Sequence, residues 1–413
     1  MSYGAKIEIY EQIRKTNAYG IPRRILFGVN VVAQAGFEAN LLNVGKKGLV
    51  VTDPGVLEAG LLDKVLEPLK NGGFDVETYG KVMPEPTMGS VEKAIDFAKQ
   101  IEPDFVVSLG GGSSMDTAKI VAMAMTNPRN IRDYLPGMKE VFSKPGIPHI
   151  TIPTTAGTGA EVTSGAVITL EDDEPPGIKA FFKSQFMFPT VAIVDPLMTL
   201  TMPQRVTAFT GLDVLSHAIE AAMSVRAFPL SEALAYEALR LISKSLIRAT
   251  YNGRDLEARY NMSAAALMAG SAQTNVGTVE AHAAGHAIGT FYHIPHGVAC
   301  AIPLPYVMEY NLPVNTDALV RMAVAMGEDI RGLSDRRAAY KVVYAVKGLI
   351  EEVGLPATLK DVGKKEDLPG LSELFTTNRW ITAFFGNCKR SMTKENATKL
   401  FENMFEGKLG KPE

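Results

Sequence analysis

The sequence predicts two domains: an α/β unit on a parallel sheet over residues 1–196, and an all-α unit over residues 197–413. Three observations carry this. Short apolar runs alternate with amphipathic stretches through the first half, the pattern of a parallel sheet covered by helices on both faces. One run, Phe105-Val106-Val107-Ser108-Leu109, is continuous rather than alternating, as a strand buried on both faces must be. After Asp195-Pro196 strand signals nearly vanish and long Ala-, Leu- and Met-rich helical patterns take over. A chain of 413 residues is long enough for such a division and for a large core.

Taken in order, Lys47–Thr52 reads as a strand that breaks at Asp53-Pro54-Gly55, with a helix expected from there to about Leu69. Phe74–Tyr79 is a second strand and Val91–Gln100 a helix. The buried run ending at Leu109 leads into Gly110-Gly111-Gly112-Ser113-Ser114, after which Met115–Met125 is helical. His149–Ile152 and Val191–Val194 supply further strands, and the polar Leu170–Gly177 between them reads as an exposed hairpin or loop. The second half reads as helices over Val206–Ser224, Leu230–Tyr251, Leu256–Ala272 and Val279–Phe291, with a tail past Phe405 expected to fray.

Composition narrows the function. Hydrophobic residues at 46% and charged residues at 21% are ordinary for a globular enzyme. A net charge of -3 gives no basic footprint, so nucleic acid is not an expected partner. No apolar run approaches a membrane span, and the first residues, MSYGAKIEIYEQIRKTN, lack an apolar signal core, so a cytoplasmic location is expected. The two cysteines, Cys300 and Cys388, make no disulfide framework, and neither has the CxxC partner of a zinc–thiolate knuckle.

Two glycine-bearing loops follow strands. The strand–GGGSS–helix sequence can present backbone N–H groups and a helix N-terminus to a phosphate, with Ser113 or Ser114 capping the helix, or it can be a tight turn without a ligand. The stretch from Pro153 to Thr163, PTTAGTGAEVT, suits a diphosphate or ribose and equally suits a plain polar loop. Asp53, at a strand end, could accept a ribose hydroxyl and repel a 2′-phosphate, or simply start a turn before Pro54.

The densest chemistry lies in Glu280–Gly297, which holds four of the six histidines: His282, His286, His293 and His296. His282 and His286 are four apart and share a helix face, and Gly289 and Pro295 let the chain turn and return His296 toward it. Earlier, Asp213 and His217 show the same spacing among apolar neighbours, where a carboxylate is costly unless paired. Together with His282 and His296 they could form an Asp/His/His/His site for a borderline divalent ion such as Fe2+ or Zn2+.

These segments together resemble the iron-containing, group III alcohol dehydrogenases. The resemblance spans nearly the whole chain, through FGVN (27–30), VTDPGV (51–56), GGGSSMDTAK (110–119), PTTAGTGAEVT (153–163), VDP (194–196), GLDVLSHAIEA (211–221) and HAAGHAIGTFYHIPHGVA (282–299). It implies a Rossmann-like dinucleotide-binding domain, a helical domain and a catalytic metal in the cleft between them. The implied metal ligands are Asp213, His217, His282 and His296, with His286 beside the substrate as a proton relay. The implied cofactor contacts are Asp53, Gly111, Gly112, Ser113, Thr154, Thr155, Thr158, Thr163 and Lys179, the last placed only by its spacing before Pro189 and Val194-Asp195-Pro196.

The implied reaction is metal- and NAD-dependent oxidation of a small alcohol, with NADP disfavoured by Asp53, or the reverse reduction of an aldehyde. The carbinol carbon would pass hydride to C4 of the nicotinamide. Fe2+ is the implied metal, with Zn2+ or another divalent ion also suited to the donors, and a homo-oligomer, a dimer or larger, is expected. Readings weighed against this are a polyol dehydrogenase, a hydroxyacid–oxoacid transhydrogenase, a dehydroquinate synthase-like lyase, a nucleotide-independent metallohydrolase and a non-catalytic binding protein.

Three places depart from the family's pattern. Glu85 stands in Pro84-Glu85-Pro86-Thr87 where Asn is usual, the run Asn387–Thr393 around Cys388 differs, and His293 occupies a variable position in the pocket or on the surface.

Overall fold

The computed structural model describes residues 16–138, 140–173 and 175–411; most of the N-terminal stretch read for a signal core lies outside them. The first half contains β1 (Arg24–Phe27), α1 (Ala35–Leu41), β2 (Lys47–Val51), α2 (Pro54–Glu58), α3 (Asp63–Asn71), β3 (Asp75–Tyr79), α4 (Met88–Ile101), β4 (Phe105–Gly110), α5 (Gly112–Thr126), β5 (His149–Pro153), β6 (Gly165–Leu170), β7 (Ile178–Lys183) and β8 (Val191–Val194). Six strands form one all-parallel sheet in the order β1-β8-β5-β4-β2-β3, and β6 pairs with β7 as a separate antiparallel hairpin.

The sheet is buried on both sides, and the strand period shows how. Val50, Phe105, Val107, Leu109, Ile150 and Ile152 pack into a core with Val65 and Leu69 of α3 and Ala35 and Ala39 of α1. Their neighbours Leu49, Val51 and Val106 pack on the other side with Val91 and Ile95 of α4 and Ile120 and Val121 of α5. Successive side chains of a strand point to opposite faces, so a strand covered on both faces is apolar along most of its length, and the polar side chains buried here, Ser108 of β4 and His149 of β5, hydrogen-bond each other. Each such buried aliphatic side chain contributes roughly 1.5–3 kcal/mol.

The chain runs from β2 outward to β3, then returns to the other side of β2 to form β4, β5 and β8. The reversal between β2 and β4 opens a crevice at the carboxyl ends of the strands, the usual ligand position in open α/β sheets.

The second half contains α6 (Gln204–Met223), α7 (Pro229–Tyr251), α8 (Leu256–Val276), α9 (Glu280–Tyr292), α10 (His296–Ala301), α11 (Leu304–Met326), α12 (Asp335–Glu352), α13 (Leu368–Thr377), α14 (Arg379–Thr382) and α15 (Lys394–Glu406). Pro229 starts α7 at a position where a missing N–H costs nothing, and Asp255 caps α8 by accepting from the Ala258 N–H at 3.0 Å. Residues Gly211 to Met223 of α6 are buried on every side, which makes it the centre of the helical part. Among the described residues, no helix is long and apolar enough to cross a membrane.

The structure corrects several expectations. The single helix expected up to Leu69 is two, α2 and α3, separated by a turn with Gly60 at φ +67°. β1 was not foreseen, and neither were the strands β6 and β7, which pair on either side of the stretch read as a hairpin or loop. The tail beyond Phe405 is tied down: the Gly410 N–H donates to Glu309 Oε1 at 2.6 Å and Tyr344 donates to the Gly410 carbonyl at 2.7 Å.

Candidate active site

The carboxylate and imidazole of α6 face the histidines of α9 and α10. His217, His282 and His296 each place Nε2 at 3.9, 3.7 and 3.9 Å from one atom, Asp213 Oδ1. The rings of His217 and His282 stack with centroids 4.7 Å apart, and His296 meets His282 edge-on at 5.5 Å. His296 returns to this point because α9 ends at Tyr292 and His293 takes a left-handed φ of +52°, its N–H bonded to the Gly289 carbonyl. Gly297 then lets α10 lie against α6: a Cβ there would fall 2.0 Å from the Phe209 carbonyl oxygen.

The electrostatics suit a cation. Asp213 Oδ1, His217 Nδ1, His282 Nε2 and His286 Nδ1 are buried with no hydrogen-bond partner, an arrangement that is costly unless something satisfies it. Burial holds His217 below the usual imidazole range, against the pull of Asp213, and holds His286 and His296 well below it, with Lys179 adding to both. These rings are therefore neutral near pH 7, the form that ligates metal. His282 is the exception: burial presses it down, but Glu220 and Asp213 together raise it. A divalent ion among these donors would supply the missing partner, so the donor set fits the metal that the sequence implies.

Cys300, four residues after His296, is a competing donor. Asp213, His282, His296 and Cys300 present atoms all within 4.8 Å of one another. The Cys300 sulfur lies 3.6 Å from His296 Nε2, and burial keeps its thiol well above the usual range and protonated. A protonated thiol is a poor ligand, whereas His217 is neutral and stands as far from Asp213 Oδ1 as His296 does.

Around this cluster stand groups that sequence reasoning did not assign. Glu220, fully buried on α6, accepts from the backbone N–H of Val279 at 2.9 Å and of His282 at 3.0 Å through Oε1, and meets His282 Nδ1 through Oε2. It thereby caps α9 and leaves Nε2 of His282 to face Asp213. Its signal was its place in the quoted run, three residues after His217 on an apolar helix.

Phe384 lies 5.0 Å from the His286 ring and 6.5 Å from that of His282. Three residues on, Asn387 donates to the Thr278 carbonyl at 2.9 Å and accepts from the Val225 N–H at 2.8 Å, clamping the start of α9. The buried Glu280 accepts from Asn311 at 3.0 Å, and burial raises its carboxyl to about 7. Nothing in the spacing announced any of these.

Asp53, Gly111, Gly112, Ser113, Thr154, Thr155 and Thr158 follow the carboxyl ends of β2, β4 and β5, three adjacent strands, whereas Lys179 lies on β7 of the separate hairpin. Asp53 does two things: Oδ1 caps α2 by accepting from the Val56 N–H at 3.1 Å, and Oδ2 accepts from Ser114 Oγ at 3.0 Å, across the crevice. The glycine and threonine loops touch. A Cβ on Gly111 would sit 3.3 Å from Thr155 Oγ1, and one on Gly112 would sit 2.7 Å from the Thr158 methyl. Thr154 donates its N–H to the Gly110 carbonyl at 3.0 Å.

The expected serine cap of α5 is not formed. Gly111 is the N-cap, Ser114 turns to Asp53, and Ser113 Oγ accepts from the Glu85 N–H at 3.2 Å. Two other expected contacts are engaged within the protein. Thr163 Oγ1 accepts from the buried Lys119 at 2.8 Å, and Lys179 is paired with Glu85 at 2.9 Å. His293 lies exposed as the cap residue of α9, away from the cluster's donors.

Comparison with known proteins identifies the family. The family described as "Iron-containing alcohol dehydrogenase" matches residues 22–196, and "Fe-containing alcohol dehydrogenase family, C-terminal" matches residues 207–405. Long-chain-alcohol dehydrogenase 1 of Geobacillus thermodenitrificans is 41% identical over 320 residues, 77% of this chain and 80% of its own. NAD-dependent methanol dehydrogenase of Bacillus methanolicus is 38% identical over 385 residues, 93% and 98%. A crystal structure of 1,3-propanediol oxidoreductase superposes with a TM-score of 0.89 at 34% identity, covering 95% of this chain and all of the other.

Proposed function

The chain belongs to the iron-containing alcohol dehydrogenase family, an oxidoreductase on CH–OH groups, and from that premise we propose which residues run the reaction. Asp213, His217, His282 and His296 hold a divalent metal, Fe2+ by the family's description, and Cys300 packs behind His296. When bound, the metal acts as a Lewis acid on the substrate hydroxyl. NAD, which would accept the hydride, would be held in the β2–β4 crevice by Gly111, Gly112, Ser113, Thr154, Thr155 and Thr158, with Thr163 beside them accepting from Lys119. Asp53 is the acceptor at the strand end that favours NAD over NADP. Lys179 reaches the same cleft from β7.

The protein's own contributions follow from their surroundings. Glu220 fixes the ring orientation of His282. Phe384 covers the rings of His282 and His286 and keeps water from them. The hydroxyl proton leaves through water, the cofactor ribose or His286, whose Nδ1 is buried without a partner, and returns by the same route in aldehyde reduction. Orientation and charge stabilisation carry the catalysis, with no covalent intermediate.

The substrate is a small alcohol or aldehyde, the domains divide near residue 196, and the protein works in the cytoplasm as a homo-oligomer. The observation that carries this reading is the convergence of three imidazole nitrogens on one unpaired carboxylate oxygen.

The test is a panel of alcohols and aldehydes with NAD(H) and NADP(H), on enzyme reconstituted with Fe2+ or with Zn2+. We expect NAD(H)-linked turnover, and metal content near one per chain that His282→Ala reduces to background along with activity. Full activity without metal in His282→Ala would sink the ligand assignment.

A further inference from the structure

Glu85 departs from the family's pattern, and its surroundings give the departure a consequence. Its backbone is left-handed, φ +50°, and is held on both sides: the N–H donates to Ser113 Oγ at 3.2 Å and the carbonyl accepts from Thr169 Oγ1 at 3.4 Å. The side chain reaches across to Lys179 Nζ at 2.9 Å, where the lysine side chain is 8% exposed and the glutamate 46%. A buried ammonium thus lies behind a carboxylate that stays open. Oε1 takes the lysine's hydrogen bond, and Oε2 accepts none among the described residues, leaving capacity for a further donor.

Two observations place this pair at the substrate's end of the cleft. Lys179 and Phe181 lie on one side of β7. The Phe181 ring meets Phe384 at 6.2 Å, and Phe384 lies 5.0 Å from His286. The charge of Lys179 also acts on His282, His286 and His296, and both charges of the pair act on Cys300. Unopposed, a buried ammonium in this position would draw in carboxylates. Glu85 cancels that attraction and leaves an open acceptor in its place.

We propose that Glu85 is a specificity-determining residue that selects substrates by charge: the cleft takes neutral alcohols and alcohols bearing an ammonium group, and turns away alcohols bearing a carboxylate. This rests on the alcohol-oxidising reading above.

The test uses three alcohols alike in length and different in their far end: 1,3-propanediol, 3-aminopropan-1-ol and 3-hydroxypropanoate. Each is assayed with metal-loaded wild type and Glu85→Gln for kcat/KM with NAD, and for binding through protection against thermal unfolding. In wild type the hydroxy acid should fall about tenfold or more below the diol. Glu85→Gln should raise the acid-to-diol ratio about tenfold, chiefly through KM, and lower the amine-to-diol ratio, with both shifts shrinking at about 0.5 M salt.

Glu85→Asn removes the same charge with a residue that tolerates left-handed backbone better, and must move both ratios the same way. It decides the matter should the glutamine variant not fold. Ratios within twofold of wild type in a folded neutral variant would overturn the proposal. A failed alcohol reading looks different: none of the three alcohols, the diol included, yields NADH, and the binding ratios then decide the role of Glu85 by the same criterion.

Discussion

Glu220 shows how much of the site's order rests on one side chain that need not touch substrate or metal. Its two oxygens satisfy two backbone N–H groups at the start of α9 and the inner nitrogen of His282. Replacing it by glutamine keeps the shape but removes a charge and turns a donor toward a donor. We expect Glu220→Gln to bind metal ten- to a hundredfold more weakly, read by competition with a chromogenic chelator, while the far-ultraviolet circular dichroism stays native; undiminished metal affinity would refute the orienting role. The histidines were legible beforehand because four-residue spacing puts pairs on one helix face. Glu220 was not, since its partner lies 62 residues away and no local period links the two.

At the scale of elements, the site depends on how closely short α10 approaches α6. The approach is set at Gly297, where a methyl group would collide with backbone, the Phe209 carbonyl, rather than with a side chain that can yield. Gly297→Ala should therefore destabilise the protein by about 2–3 kcal/mol, seen as a melting temperature several degrees lower, and should weaken metal retention because His296 precedes it. A thermally silent alanine variant would show that the helices can part without cost.

Elements with a strong period were legible in the sequence: β4 by its unbroken apolar run, α6 to α9 by their helical pattern, the loops by glycine and proline. β6 and β7 were not, because a hairpin outside the main sheet is specified by pairing with the rest of the fold as much as by its own residues. The C-terminal clamp at Phe384 and Asn387 lies in short turns of helix with no periodic signal.

For the whole molecule, acid is a predictable weakness. His149 of β5 is buried against Ser108 at 2.8 Å, and burial, aided by Lys119, lowers it from 6.5 to about 3. Below pH 6.5 the unfolded chain takes up a proton there that the folded chain refuses. The stability from this residue is complete above that pH and is lost as pH falls toward 3, on the order of 5 kcal/mol at most. His149→Asn, which keeps a polar group facing Ser108, should move the acid-unfolding midpoint to lower pH, and an unmoved midpoint would rule this residue out as a cause. The clamp from Asn387 to the start of α9 bears on how the enzyme is made. The four proposed ligand positions are all synthesised by residue 296, yet the segment that pins the start of α9 and lies against His286 follows about ninety residues later. On the proposed ligand assignment a nascent chain carries its donors before it can hold them in place, so secure metal capture would belong to the end of synthesis, and a chain stalled short of residue 387 would carry the donors without the clamp.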